Sequence, residues 1–307
     1  TSSQSENDKA SRLFLQQGIK AESHPQGNKS IAYASISAHR RGNWLALAKG
    51  FSRYFWASEH YARENFYGRY LSYGTLQILT SANGETVTPQ TSGWIEEGFN
   101  WARIPGSTAL NLPIDKMRAA KNQSEMLLSD ESFAGGVSIN GTDGAYGIKL
   151  HEHDRYDGSH RARKSYHFFD NRIISLGSDI QNTNSDFSTE TTIFQLAVQN
   201  DKEKDFWSKQ EGNSSLWTDP IGTSYYIPAN TANKIKFEKA YPQLSKSNMG
   251  KPTKGNWVSL VIDHGRAPQE ENYEYVVIPQ TAPKEARKVG KTYIVCQQNK
   301  DAHIVKD

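Results

Sequence analysis

Short apolar runs separated by turn residues recur along this chain, and few segments carry the period of an amphipathic helix. Lys29 to Ala38 (KSIAYASISA) alternates apolar with small or polar residues and predicts a strand. The stretch from Trp44 to Ala57 (WLALAKGFSRYFWA) fits helix and strand periods about equally, but Gly50 and the aromatics Phe51, Tyr54, Phe55 and Trp56 favour extended structure. Further runs fall at 75–79, 147–150, 165–169, 172–176, 191–198, 257–262, 273–278 and 292–296, with Asp170 and Asn171 between two of them as a hairpin connection. Residues 112–128 are the main irregular or helical interruption. Without an internal repeat or low-complexity linker, residues 29–307 predict one mainly β domain, a large antiparallel β-sandwich. Residues 1–28 read as a polar leader or cut end, polar and without period at their start.

Composition narrows the class. Hydrophobic residues make up 36% of the 307 positions, and the 15 Tyr, 12 Phe and 7 Trp suit sheets with one face in the core and one in water. The single cysteine, Cys296, allows no internal disulfide and is expected to be a buried thiol. A formal charge of +3 is small for this length, so attraction to a polyanion must come from local clusters of Arg and Lys, and no nucleic-acid partner is expected. No window reaches the roughly 18 consecutive apolar residues of a spanning helix, and no basic stretch followed by an apolar run opens the sequence as a signal peptide would. No membrane partner is expected either.

Three blocks carry a family resemblance. In Ser58 to Gly74 (SEHYARENFYGRYLSYG), a glutamate precedes Glu64, Asn65, Gly68 and Tyr70, which is similar to the E-N-x-x-G-x-Y block of family 8 polysaccharide lyases. Trp101 to Thr108 (WARIPGST) resembles the family's W-x-R-x-P-G-T-T, and Lys164 to Asp170 (KSYHFFD) its K-S-W-F-F-F-D. Ile173 to Ile180, Glu190-Thr191-Thr192 and Tyr273 to Pro279 extend the match in the same order, and the G-R-Y-L-S-Y-G run is most similar to the chondroitin sulfate ABC branch. The resemblance implies a super-sandwich of the galactose-mutarotase-like kind and an acidic glycosaminoglycan as substrate. It also implies a partner domain, the N-terminal helical catalytic domain of the same enzyme, and a periplasmic or secreted location. No cofactor is implied for this segment, and a structural divalent cation stays open for a complete enzyme.

Such lyases act on uronic-acid polymers by β-elimination, removing the C5 proton and expelling the glycosidic oxygen at C4. The reaction needs donors for an enolate-like charge, a base and an acid. In the family an Asn or equivalent, a His, a Tyr and an Arg do this from the helical domain, while a Glu reaches in from the sandwich. A tyrosine with a reference pKa of about 10 becomes a base near neutral pH only beside a positive charge, and a carboxylate paired with that Arg holds its fork in register. By position in the motif the Glu is Glu59, and Ala62 stands where some relatives have a substrate-contacting Asn. Glu64 is the rival candidate.

Arg63, Arg69 and Arg53, with Arg40 and Arg41 further off, are candidate contacts for sulfate and carboxylate groups, because the guanidinium fork fits planar oxyanions. Asn65 is a substrate-binding candidate too, although it and Gly68 also have the chemistry of a tight turn. The cluster His151, Glu152, His153, Asp154 and His160 has metal-ligand chemistry, but Asp157, Gly158 and Ser159 read as a turn, so a solvated hairpin tip is expected and no metal site is assigned. Two other classes compete. A non-catalytic carbohydrate-binding sandwich would use exposed Trp94, Trp101 or Trp217 against sugar rings, and a sugar epimerase or mutarotase would share only the fold.

Overall fold

The computed structural model describes residues 4–15, 25–60, 64–81, 85–118, 125–198, 208–210 and 214–307. Strands dominate. An eight-stranded antiparallel sheet runs in the order Ser208–Gln210, Ser215–Thr218, Ser224–Ile227, Glu271–Ile278, Arg172–Gln181, Arg161–Phe169, Asp143–His151, Ala134–Ile139. Two four-stranded antiparallel sheets accompany it: Gly27–Ile31, Ile36–Arg41, Trp44–Lys49 and Thr75–Leu79 in one, and Ile235–Lys246, Pro252–Asp263, Thr189–Ala197 and Thr108–Leu110 in the other.

The core follows from the two-residue period. Along Arg161–Phe169, Ala162, Tyr166 and Phe168 enter the main apolar cluster, while Ser165 and His167 lie on the opposite face. That cluster joins Trp44, Ala46 and Ala48 of one four-stranded sheet, Tyr146 and Ile148 of the eight-stranded sheet, and Phe194, Trp257 and Leu260 of the other four-stranded sheet. The outer face of the eight-stranded sheet carries a second cluster, Ile174, Leu176, Leu216, Tyr226, Val276 and Ile278, against the helix Pro283–Val289. Antiparallel sandwich architecture is therefore as expected.

Asp170 and Asn171 do connect adjacent strands: Phe169 pairs with Arg172, and Asp170 takes a left-handed φ of 39°. Elsewhere the local reading is corrected. The span Lys29–Ala38 is two strands, because a 3-10 turn at Ala32–Ala34 and a left-handed Ser35 (φ 48°) fold it back on itself. Gln4–Phe14 is a helix with none of its residues buried, where the sequence reads only as polar and without period. Cys296 is exposed, since it alternates with Val295, which packs towards the second cluster from the Ile294–Gln298 hairpin strand.

The motif residues bind the layers together. Lys164 is fully buried in the Arg161–Phe169 strand and donates to the carbonyls of Tyr73 (3.0 Å), Gly74 (2.8 Å) and Gly106. Three acceptors call for three N–H donors, which only the ammonium form has, although burial pulls the lysine's pKa well down. Tyr166 Oη donates to Gly74 O at 2.6 Å and lies 3.1 Å from Gly106 O. At Gly106, with φ of +81°, a Cβ would stand 2.2 Å from the amide nitrogen of Leu76, so only glycine fits. Arg103 spans the second four-stranded sheet, donating to Glu190 (2.8 and 3.0 Å), to Glu238 (3.1 Å) and to Ser259 Oγ (3.0 Å).

Lys164→Met leaves the Tyr73 carbonyl without this donor while keeping chain volume. We expect a loss of about 2 kcal/mol in unfolding free energy from urea melts. An unchanged midpoint would show that the ammonium contributes nothing net.

Candidate active site

Glu59 is half-buried on a two-residue strand, Glu59–His60, that pairs antiparallel with Glu125–Met126. The pairing continues a ribbon in which Ala57 N donates to Leu127 O (3.0 Å) and Arg53 N to Glu131 O (2.8 Å). Tyr54, Trp56 and Met126 are exposed along it, so the ribbon presents an aromatic and apolar surface beside Glu59.

A compact turn fixes the back of this strand. Asn65, left-handed with φ 53°, donates from its side-chain amide to Glu59 O. Ser58 Oγ donates to Gly68 O at 2.9 Å, so its 2.6 Å contact with His60 Nε2 has the imidazole as donor. A Cβ on Gly68 would lie 2.3 Å from the Asn65 side-chain oxygen, so a larger residue there would displace the Asn65 amide from Glu59 O. Ser72 Oγ adds a bond to Ala57 O, and Phe66 N donates to Asn248 O (2.8 Å) in the tip between Ile235–Lys246 and Pro252–Asp263.

The sequence candidates separate here. Arg53 is exposed, with its guanidinium 2.8 Å from Tyr54 Oη and 5.0 Å from that ring's centroid. Glu64 is exposed, and Arg63 and Ala62 lie outside the described residues. Arg69, expected to meet acid groups of a polymer, is instead buried in the Gly68–Tyr70 turn. Its Nε donates to Glu152 Oε1 at 2.7 Å, Nη2 makes a second bond to the same oxygen, and the guanidinium sits 3.7 Å over the Tyr156 ring. That makes it part of the wall rather than a surface donor. Arg41 pairs with Asp170 (3.2 Å) and Asp143 (3.5 Å), holding the Asp170 turn.

The His151–His160 stretch does turn, with Asp154 and Arg155 exposed at its tip, but its ends are not solvated. His151, Glu152 and His160 are buried. His151 pairs with Asp130 through Nδ1 and with Gly158 O (2.7 Å) through Nε2, and His160 Nε2 donates to Thr108 O (3.0 Å). Burial holds the His160 pKa down at about 4. Glu152 turns to Arg69 and Tyr73, whose hydroxyl donates at 3.0 Å; burial pushes the Glu152 carboxyl up against the pull of Arg69 towards the carboxylate. Among the described residues no three His, Cys, Asp or Glu side chains converge on a common metal position. Trp101 and Trp217 are buried and Trp94 packs partly buried against the core, so the three tryptophans considered as sugar platforms belong to the interior.

A family model described as polysaccharide lyase family 8, super-sandwich domain, matches residues 26–289. The chain belongs to polysaccharide lyase family 8. This family 8 domain is 50% identical to a chondroitin sulfate ABC exolyase of Bacteroides thetaiotaomicron, over 97% of this chain and 30% of the relative. Identity is 37% to a chondroitin sulfate ABC exolyase of Proteus vulgaris, over 95% of this chain and 30% of that protein. The chain thus spans about 30% of the length of the curated relatives it matches. Among solved structures, the Streptomyces coelicolor chondroitin AC lyase in complex with chondroitin sulphate superposes with a TM-score of 0.79 at 20% identity, covering 96% of this chain and 39% of that one. A Paenibacillus xanthan lyase gives 0.77 at 20% identity, covering 98% and 30%. At those identities the superpositions establish the fold.

Sequence reasoning missed Glu152 and Tyr73 as partners of Arg69. The only signal, a carboxylate beside a strand end, was masked by the surrounding histidines. In this family 8 domain Asn65 shapes the turn under Glu59. Both Asn65→Gly and Asn65→Ala lose the bond to Glu59 O, but only alanine is strained at φ 53°. We expect the glycine variant to be more stable by about 0.5–1 kcal/mol in urea unfolding; equal stability would place the strain elsewhere.

Proposed function

We propose that this domain supplies part of the active site of a lyase that cleaves chondroitin and dermatan sulfate, with hyaluronan as a further candidate polymer, by β-elimination at the uronic acid. The observation that carries the reading is the 50% identity, across 97% of this chain, to a protein known as a chondroitin sulfate ABC exolyase. The half-buried Glu59, held at a strand end by Asn65 and Ser58 yet flanked by exposed Tyr54 and Trp56, supports its assignment as the sandwich-borne carboxylate. Its proposed work is to hold an arginine of a helical catalytic domain, whose charge favours a tyrosine phenolate as base for C5. Arg53 remains a proposed contact for polymer acid groups, and Arg63 keeps that role on its sequence position alone. No cofactor enters the proposed reaction. A structural divalent cation in the full-length protein and a periplasmic or secreted location belong to the same reading.

Two relatives named exolyases support end-wise cleavage, in which unsaturated disaccharide is released from the first turnovers. A non-catalytic carbohydrate-binding module would bind sulfated polymer without releasing unsaturated product.

In full-length protein, Glu59→Gln keeps size and loses the charge that orients the arginine. We expect turnover of chondroitin sulfate, followed by absorbance of the unsaturated uronate, to fall on the order of 10²-fold, with binding of a non-cleavable oligosaccharide little changed. The isolated 307-residue chain should show no turnover at all. Near-normal turnover of the variant would remove Glu59 from the catalytic set, and a raised KM alone would make it a binding residue.

A further inference from the structure

We propose that Arg69 and Glu152 are a positioning pair for Glu59, acting through the Gly68–Tyr70 turn; the inference rests on the role given to Glu59 above. Both residues are buried, at 5% and 1% exposure, so neither meets a polymer in this chain directly. Their importance lies in what each is attached to.

Glu152 follows directly on the Asp143–His151 strand of the eight-stranded sheet, and its backbone N–H donates to His160 O at 3.1 Å. Its carboxylate is therefore anchored to the most extensive layer of the fold. Arg69 is the middle residue of the Gly68–Tyr70 turn. Two hydrogen bonds, from Nε at 2.7 Å and from Nη2, join the guanidinium to Glu152 Oε1, and Tyr73 Oη reaches the same oxygen at 3.0 Å. Tyr156 caps the guanidinium at 3.7 Å and Tyr70 lies 5.2 Å away, so the fork is fixed in plane as well as in distance.

The turn passes that position on. Gly68 O receives Ser58 Oγ at 2.9 Å, and Ser58 immediately precedes Glu59. The Asn65 amide, which packs so closely against Gly68 that a Cβ there would displace it, donates to Glu59 O. A continuous path of covalent and hydrogen-bonded links thus runs from the sheet through Glu152, Arg69 and Gly68 to Ser58 and Asn65, and so to both sides of the Glu59 backbone. The strand itself is a two-residue ladder, Glu59 opposite Met126 and His60 opposite Glu125, and short ladders of this kind are weak on their own.

For stability alone an ion pair is a poor choice here. Taking two charges from water costs several kcal/mol per ion, and well-packed apolar residues of similar volume often do as well or better. For position it is a good one, because two N–H bonds fix distance and direction together. Lysine preserves the charge but is a single point donor without the planar fork. A displacement of about 1 Å at a reacting group can cost on the order of 10²-fold.

The experiment is a double-mutant cycle in full-length protein, with Arg69→Lys, Glu59→Gln and the two combined, assayed on chondroitin sulfate. An apolar replacement, Arg69→Met with Glu152→Leu, runs beside it in case lysine disrupts folding, and thermal unfolding identifies which variants are folded. The pair predicts that Arg69→Lys lowers kcat on the order of 10-fold with KM within about twofold, and that this loss disappears in the Glu59→Gln background. Normal kcat in a folded variant, or a full loss that adds to that of Glu59→Gln, overturns the proposal. So does failure of both replacements to fold, which would make the pair a support of the sandwich itself. The reading of Glu59 is tested separately by the single Glu59→Gln variant, whose normal turnover would sink both.

Discussion

A buried ammonium group holds the site segment onto the sandwich. Lys164 stands in the middle of the eight-stranded sheet, points inward and gives its three donors to backbone carbonyls of Tyr73, Gly74 and Gly106, which belong to two separate loops. A charge in that position is tolerable only because each donor has an acceptor, and the carbonyls in turn have no strand of their own to satisfy them. The same contact closes the end of the segment that begins with Glu59. Besides it, residues 64–74 are joined to the frame through Asn248, through Arg69 and Tyr73 to Glu152, and through the Tyr166 hydroxyl to Gly74 O.

Seen this way, the three motif blocks are braces. Lys164 ties the eight-stranded sheet to the loops at Gly74 and Gly106, Arg103 ties the Trp101 loop to three strands of a four-stranded sheet, and Arg69 ties the Glu59 turn to Glu152. Each is a buried cation whose acceptors lie far away in sequence, 83 residues in the case of Arg69. Glu59 differs from all of them in lying half-buried, beside the exposed aromatics Tyr54 and Trp56. The division of labour is physical: cations with fixed acceptors define the frame, and the proposed carboxylate sits half-buried on its rim.

Much of the fold was legible because two-residue alternation and turn chemistry are local. The Asp170 hairpin, the strand at Thr75–Leu79 and the long runs ending at Phe169, Ile262 and Ile278 could be read from neighbouring residues alone. The turn at Ala32–Ala34 could not, because it contains neither glycine nor proline and the alternation runs straight through it. Cys296 was misplaced for a related reason: its residue type suggests burial, but which face of a short edge hairpin is covered depends on a second cluster built from distant strands. At the site, Glu59, Asn65 and Gly68 were visible through a resemblance. The burial of Arg69 was not, since an arginine near a candidate glutamate looks the same whether its carboxylate partner is a substrate or Glu152.

The central claim is that the Glu59 turn is braced as firmly as the sheets it hangs from. Amide hydrogen exchange in the full-length protein tests this most directly, at Phe66, Leu71, Tyr73 and Leu76, whose N–H groups donate to Asn248, Gly68, Tyr70 and Pro105. The account predicts protection comparable to that of the Arg161–Phe169 strand, lost selectively at Phe66 and Leu71 when Arg69 is replaced. Rapid exchange of these amides in the unaltered protein, at the rate of an open surface loop, would contradict it.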